Sequence, residues 1–88
     1  MSIVVEVDPV GALYIRFGTA KVHRTIELIE NALIVDLDEK DNVVGIEALK
    51  PGMLHLMSKK IPPEVRLPAE AGQVDFLSLE KSFAAVGR

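Results

Sequence analysis

The sequence predicts an α+β protein that is mainly β: a five-stranded antiparallel meander with one or two short C-terminal helices packed on it. Two observations indicate this class. Residues 3–49 consist of short segments in which apolar and polar residues alternate, separated by turn-forming residues. Residues 50–88 instead contain Pro-rich joints and apolar residues at helical spacing. At 88 residues the chain forms one domain, with residues 3–49 as the β core and residues 50–88 as an extension packed on the sheet or on a partner.

The first three predicted strands are residues 3–7, 12–17 and 21–28. Apolar side chains occupy alternate positions in the first two strands, so each strand has one apolar face. The segment between them, residues 8–11, is a turn in which Gly11 tolerates a positive φ. In the third strand Arg24 interrupts the apolar face, which favours an edge position or partial exposure at that point.

The fourth and fifth predicted strands are residues 32–37 and 43–49. The fourth is almost wholly apolar, which is typical of a central strand covered on both faces. Residues 38–42 form the hairpin loop, with Asn42 in the left-handed conformation that this turn requires. Gly45, inside the fifth strand, marks a bulge or a close backbone approach.

The first predicted helix of the extension begins near Pro51, because proline suits a first helical turn, and it ends before Pro62. Its apolar residues Met53, Leu56 and Met57 share a face. Methionine side chains adapt to varied surfaces, so these three residues are a candidate partner-binding stripe. The alternative, which we favour, is an ordinary contact with the core.

The rest of the extension is predicted to be an extended connector at residues 65–72, a short strand at residues 74–76 and a second helix. Ser78 would cap this helix, since its hydroxyl can accept a hydrogen bond from a free main-chain N–H of the first turn. The apolar face of the helix would comprise Leu79, Phe83 and Val86.

Composition limits the function classes. The net charge is −3, and residues 1–49 (nine acidic, four basic) carry −5 of it while residues 50–88 (four acidic, six basic) carry +2. An acidic body repels phosphate, and Lys59-Lys60 is the only basic pair in the sequence, so we expect no nucleic-acid binding. Cysteine is absent, and His23 and His55 lie far apart, so neither a disulfide nor a structural zinc site is expected.

Small domains often gain stability from a partner subunit. The chain is 49% hydrophobic with a mean hydropathy of +0.27, more apolar than a small monomer easily buries, so we expect a homodimer. The sequence shows neither a basic segment followed by an apolar run nor an apolar run of membrane-spanning length. We therefore expect a cytoplasmic protein without membrane contact.

The sequence contains few combinations of residues that could form a binding or catalytic site. Tyr14, Arg16 and Glu47 could lie on one side of the sheet as a polar surface cluster that clamps an anion, although cross-strand pairing on a solvated face is the simpler interpretation. A catalytic His23 would need a positioned carboxylate and a pocket, and the sequence indicates neither. The acidic run from Asp36 to Asn42 is similar to a calcium loop, but Lys40 occupies its fifth position and Glu47, at position twelve, lies in a predicted strand, so a plain hairpin is the favoured interpretation. We expect no catalytic, cofactor-binding or metal-binding residues.

The first half resembles a known family. The segments that carry the resemblance are Asp8-Pro9, Ala-Leu-Tyr-Ile-Arg at residues 12–16, Ile-Val-Asp-Leu-Asp at residues 34–38 and Val-Val-Gly-Ile-Glu at residues 43–47. In order and spacing they are similar to the YuzE-like family of small prokaryotic proteins of unknown function. The resemblance covers about residues 3–50. The chain departs from the pattern at Asp41-Asn42, where the family usually has Asp-Gly, and at Gly11, where it often has an acidic residue.

The resemblance implies a β-rich domain without assigned catalytic residues. Some similar proteins are thought to be antitoxin-like partners of small RelE-type toxins, which suggests a small protein partner. The sequence thus favours a non-catalytic protein–protein interaction module, antitoxin-like if the resemblance extends to function, with residues 50–88 as its binding arm. The alternative is a self-contained structural or small-ligand-binding homo-oligomer. An enzyme is not expected, because the sequence contains no recognisable nucleophile, base or metal set.

Overall fold

The computed structural model describes residues 3–86, and the side chains of residues 3–81. This part of the chain forms one antiparallel sheet and four short helical segments. The strands are β1 (Ile3–Val7), β2 (Leu13–Phe17), β3 (Arg24–Ile29), β4 (Leu33–Leu37) and β5 (Val43–Ala48). The predicted fold class, α+β and mainly β with a five-stranded antiparallel sheet, is confirmed.

The strand order is β1-β2-β5-β4-β3, so β2 lies beside β5 instead of beside β3, as it would in a strictly sequential meander. The loop at residues 18–23 carries the chain past the ends of β5 and β4 to the far edge. The burial of the strands agrees with this order. The middle strand β5 is buried at five of its six positions, whereas β3 is exposed or half-buried throughout and so suits an edge. The fourth strand, predicted to be central, lies between β5 and β3.

The core lies on one face of the sheet. Its strand residues alternate with half-buried residues that point to the other face, as the period of two requires. Residues of the extension complete this core. The buried set comprises Leu13, Ile15, Phe17, Leu33, Val35, Leu37, Val43, Ile46 and Ala48 from the strands and Leu54, Met57, Val65 and Ala71 from the extension.

The extension begins with a 3-10 helix at Pro51–Leu56 that continues into the single turn α1 (Met57–Lys60). A second 3-10 helix at Ala69–Gln73 and the helix α2 (Phe76–Val86) follow. Between them, the main chain at Arg66 is bonded to the β4–β5 loop: its N–H donates to the Asp41 carbonyl (3.0 Å) and its carbonyl accepts from the Val43 N–H (2.7 Å). The segment predicted to be an extended connector is therefore fastened to the sheet.

Two local predictions about β5 and its loop have different outcomes. The left-handed residue of the β4–β5 loop is Asp41 (φ 63°), not Asn42 as predicted. Asp38 explains the difference, because its carboxylate accepts hydrogen bonds from the N–H groups of both Lys40 and Asn42 (2.9 Å each) and so fixes the last turn residue. A register shift next to Gly45 leaves Val44 as the extra residue of a bulge, in agreement with prediction.

The start of α2 also differs from prediction. The helix begins at Phe76, and residues 74 and 75 are not a strand. Asp75 is the cap, since its carboxylate accepts a hydrogen bond from the Ser78 N–H (3.0 Å) and another from the Ser78 hydroxyl (2.7 Å). Leu79 packs against the core, while the side chains of Phe83 and Val86 lie outside the described residues.

Within residues 3–86, no helix has both the length and the apolar content that crossing a membrane requires.

Candidate functional site

The three residues of the predicted polar cluster do reach the same face of the sheet, the one opposite the core. Tyr14 of β2 is the cross-strand partner of Glu47 of β5, and Arg16 follows on the same face. They do not bond to one another as a set. The Tyr14 hydroxyl donates its hydrogen bond to Asp36 of β4 (2.9 Å), and the Arg16 guanidinium donates to the carbonyl of Ala20 in the β2–β3 loop.

A hydrogen-bonded network therefore centres on Asp36, which the sequence analysis considered only as part of the acidic run that ends at Asn42. One carboxylate oxygen accepts from Tyr14 and the other from the hydroxyl of Thr25 on β3 (2.8 Å). The Tyr14 side chain crosses the middle strand at Gly45, where a Cβ would lie only 2.9 Å from the tyrosine Cζ and 3.1 Å from Asp36 Oδ2. The glycine in β5 was the available signal, because it marks a place where another group approaches the strand closely.

This network links β2, β4 and β3 through side-chain hydrogen bonds. Burial and the nearby Asp36 carboxylate raise the pKa of Tyr14 above its ordinary value of 10.0, against an opposing effect of Arg16. The phenol therefore stays protonated at neutral pH and acts as a hydrogen-bond donor. A nucleophile or base would need the opposite shift.

The acidic residues near this face do not assemble into a metal centre. A surface depression of about 480 Å³ beside the β1–β2 turn is lined by Glu6, Asp8, Tyr14 and Glu47 together with apolar neighbours. Among the residues that the structure describes, no group of three or more His, Cys, Asp or Glu side chains is arranged to hold a metal ion. The carboxylates give this depression a negative charge, so it would repel anions.

The two histidines have different surroundings. His23 is exposed next to β3, and its main-chain N–H donates to the Leu37 carbonyl (2.7 Å). The ring of His55 bonds to Glu80 of α2 (2.8 Å), and the same carboxylate oxygen accepts from the His55 N–H (3.0 Å). Burial raises the pKa of Glu80, but these bonds from His55 outweigh it and lower the pKa overall. The contact ties α2 to the first 3-10 helix.

The candidate partner-binding stripe is divided between core and surface. Met57 is buried in the core at 4% exposure, Leu56 is half-buried, and Met53 is 36% exposed. The three side chains therefore do not present a continuous apolar surface, and Met57 has the core role that we favoured as the alternative.

Three exposed valines lie on β1, an edge strand that pairs with β2 alone within the described residues. Val4 and Val5 are each 44% exposed and Val7 is 61% exposed. Ile3, Val5 and Val7 lie on the core side of the sheet, because their cross-strand partners on β2 are core residues. Beside them a groove of about 440 Å³ separates β1 from the start of α2, with Val74 and Leu79 on its far wall.

The opposite edge, β3, is protected. It carries the charged Arg24, whose guanidinium bonds to Asp41 (2.8 Å), and Glu27, and a bulge falls between Glu27 and Ile29. Charges and bulges are the usual means by which proteins prevent strand pairing at an edge. The sequence of β1 offers one charge, no lysine and no proline. This difference between the edges makes β1 the candidate interaction surface.

Comparison with known proteins identifies a protein family for this chain. No curated protein and no solved structure matches this chain. The family model described as "Protein of unknown function (DUF2283)" matches residues 5–50, which span the sheet from Val5 of β1 to the end of β5 and stop where the extension begins. This match covers more than half of the chain, and the protein therefore belongs to DUF2283, a family of unknown function.

Proposed function

We propose that the protein is a non-catalytic protein–protein interaction module and that β1 is its binding element. The observation that carries the proposal is the contrast between the two sheet edges. An exposed strand with unpaired main-chain groups and apolar side chains is a template for another strand, and proteins that do not use such an edge normally block it. Here β3 is blocked and β1 is open.

The direction of the main-chain groups on β1 supports this proposal. The Asp8 N–H donates to the Ala12 carbonyl across the turn (2.8 Å), so Asp8 faces β2. Main-chain groups alternate in direction along an antiparallel strand, and therefore Val4 and Glu6 also face β2. The N–H and C=O groups of Ile3, Val5 and Val7 point away from the sheet, where an added strand would meet them.

The proposal moves the binding element away from the extension. The sequence suggested residues 50–88 as a partner-binding arm, but Leu54, Met57, Val65 and Ala71 are buried against the sheet. The extension could not extend around a partner protein without removing these side chains from the core and exposing them to solvent. The antitoxin-like role that the YuzE-like resemblance suggests remains compatible with binding at β1, because the negatively charged first half would attract a small basic protein.

The test compares the wild-type protein with two lysine variants as baits for binding proteins. Val5→Lys places a charge at the centre of the open edge, while Val10→Lys makes the same change in the β1–β2 turn at a valine that is 88% exposed. We expect a partner to be retained by the wild type and by Val10→Lys and to be lost by Val5→Lys.

Amide hydrogen exchange on the purified pair supplies the second readout. A strand bound at β1 must slow exchange at Ile3, Val5 and Val7, whose N–H groups point outward, and leave Val4 and Glu6 nearly unchanged. Equal retention of the partner by both lysine variants, or protection confined to another surface, would contradict the proposal. So would a protein that binds neither another protein nor a second copy of itself.

A further inference from the structure

We infer that the occupant of β1 is a second copy of this chain, paired antiparallel about a twofold axis at Val5 so that two five-stranded sheets become one sheet of ten strands. The inference rests on the function proposed above and names its partner. The sequence of β1, Ile-Val-Val-Glu-Val, is complementary to itself in one register.

In that register Val5 lies opposite Val5 of the second copy, and Ile3 lies opposite Val7. All three residues have outward-pointing main-chain groups, so each opposed pair can exchange two hydrogen bonds, or about six in total. A register centred on Val4 would oppose only Ile3 and Val5 among the described residues, with about four hydrogen bonds. Among the described residues of β1, 3–7, the Val5 register therefore satisfies the most main-chain groups.

Side chains favour the same register. On the core side, Ile3, Val5 and Val7 of both copies would form one apolar row, next to the groove that each copy leaves between β1 and α2. Apolar and β-branched pairs across strands stabilise a sheet. On the other side, Glu6 would lie opposite Val4. A register centred on Glu6 would oppose two carboxylates, which is unfavourable.

Charge complementarity also supports a second copy. Val4 is the cross-strand partner of Arg16 on β2. Glu6 of the second copy would therefore join the row that contains Val4 and Arg16, two strands away from the arginine. Two strand spacings are about 10 Å between Cα atoms, a distance that an arginine and a glutamate side chain can bridge together. Each dimer would contain this acid–base arrangement twice.

Cysteine cross-linking tests the register directly, because the wild-type chain contains no cysteine. In Val5→Cys the two cysteines of a dimer would have Cα atoms about 5.5 Å apart, within the range for a disulfide. In Glu6→Cys they would be offset by two residues along the strands and lie about 8 Å apart, beyond that range. We expect near-complete oxidation of Val5→Cys to a covalent dimer and little cross-linking of Glu6→Cys.

A mixed sample sharpens the test. Val4→Cys and Glu6→Cys, oxidised together, should form the mixed disulfide in preference to either homodimer, since these positions oppose each other across the axis. Circular dichroism of the reduced variants confirms that each is folded. Equal cross-linking of Glu6→Cys and Val5→Cys would mean collision or another register, and would overturn the inference.

The mass in solution separates this inference from the proposed function. Light scattering should give twice 9.6 kDa for the wild type and for Val10→Lys, and 9.6 kDa for Val5→Lys. A dimer that persists in Val5→Lys would place the contact between copies elsewhere and refute the inference. A wild type that stays monomeric up to its solubility limit would also refute it, yet the proposed function would stand if another protein protects the outward-pointing amides of β1.

Discussion

Gly45→Ala should destabilise the protein because the space above this glycine is already filled. The strand conformation at Gly45 is one that alanine can adopt, since its φ is not positive. The obstacle is Tyr14, whose ring and hydroxyl cross the middle strand to reach Asp36. An added Cβ would lie 2.9 Å from the tyrosine Cζ and closer still to the hydroxyl, so the tyrosine must move away and its hydrogen bond to Asp36 must break.

The size of the effect follows from three contributions. Forcing an extra carbon into a filled site costs about 1–3 kcal/mol. Losing a hydrogen bond to a charged group costs about 1.5–3 kcal/mol, and less here because Tyr14 is only half-buried. Replacing glycine by alanine restricts the unfolded chain and returns about 0.4–1 kcal/mol. We expect a net loss of about 2 kcal/mol, equivalent to about 10 °C in Tm for a domain of this size.

The assay is urea unfolding followed by far-ultraviolet circular dichroism, with Tyr14→Ala as the second background. Once the tyrosine is removed, the clash disappears and the Asp36 carboxylate can turn away. Gly45→Ala should then be neutral or stabilise the protein by about 0.5 kcal/mol. This change of sign is the critical result. If Gly45→Ala destabilises both backgrounds equally, the glycine is required for a reason other than the position of Tyr14.

Three further predictions concern single side chains. Asp36→Asn should lower the pKa of Tyr14, the only tyrosine in the sequence, as measured by ultraviolet titration. Because folding raises this pKa above 10.0, the free energy of unfolding of the wild type should fall as the pH rises through the alkaline range, and that of the variant should fall less. Asp38→Ala should lower the urea midpoint of unfolding above pH 4 and have no effect in acid. Hydrogen bonds from the loop lower the pKa of Asp38 below 3.8, so the stabilisation by this carboxylate disappears as the pH falls through its folded pKa. An equal effect at pH 2 would contradict this reasoning. Glu80→Ala should speed amide exchange in α2, whereas Lys81→Ala, an exposed neighbour on the same helix, should not; equal acceleration would mean that the contact with the first 3-10 helix does not anchor α2.

The number of strands and the buried face of β2 could be read from the sequence, because a period of two is a local property, whereas β4, expected to be covered on both faces, is half-buried on one of them. The order of the strands could not. The alternation shows which side chains share a face but not which strand lies next to which, and the rule that consecutive strands pair failed between β2 and β3. The charge at Arg24 correctly indicated an edge for β3. It did not indicate that β5 would fill the place beside β2.

The polar network was missed for the same reason. Tyr14 was correctly assigned to the solvent-facing side, but its partner depends on register between strands that are distant in the sequence. Glu47 is its direct neighbour, and the hydrogen bond nevertheless goes to Asp36 because Gly45 leaves a path across β5. The open edge at β1 required the complete strand order, since any of the strands with exposed valines could have been internal.

The position of β5 between β2 and β4 has a consequence for the order of folding. β1 with β2, and β3 with β4 and β5, are two sets of strands joined by short turns, so each can form from neighbours in the chain. The β2–β5 pairing links residues as distant as Leu13 and Ala48, and its loop-closure entropy opposes its early formation. The sheet should therefore assemble as two preformed halves that dock along β2 and β5, with the exposed loop at residues 18–23 as the tether that sets their effective concentration.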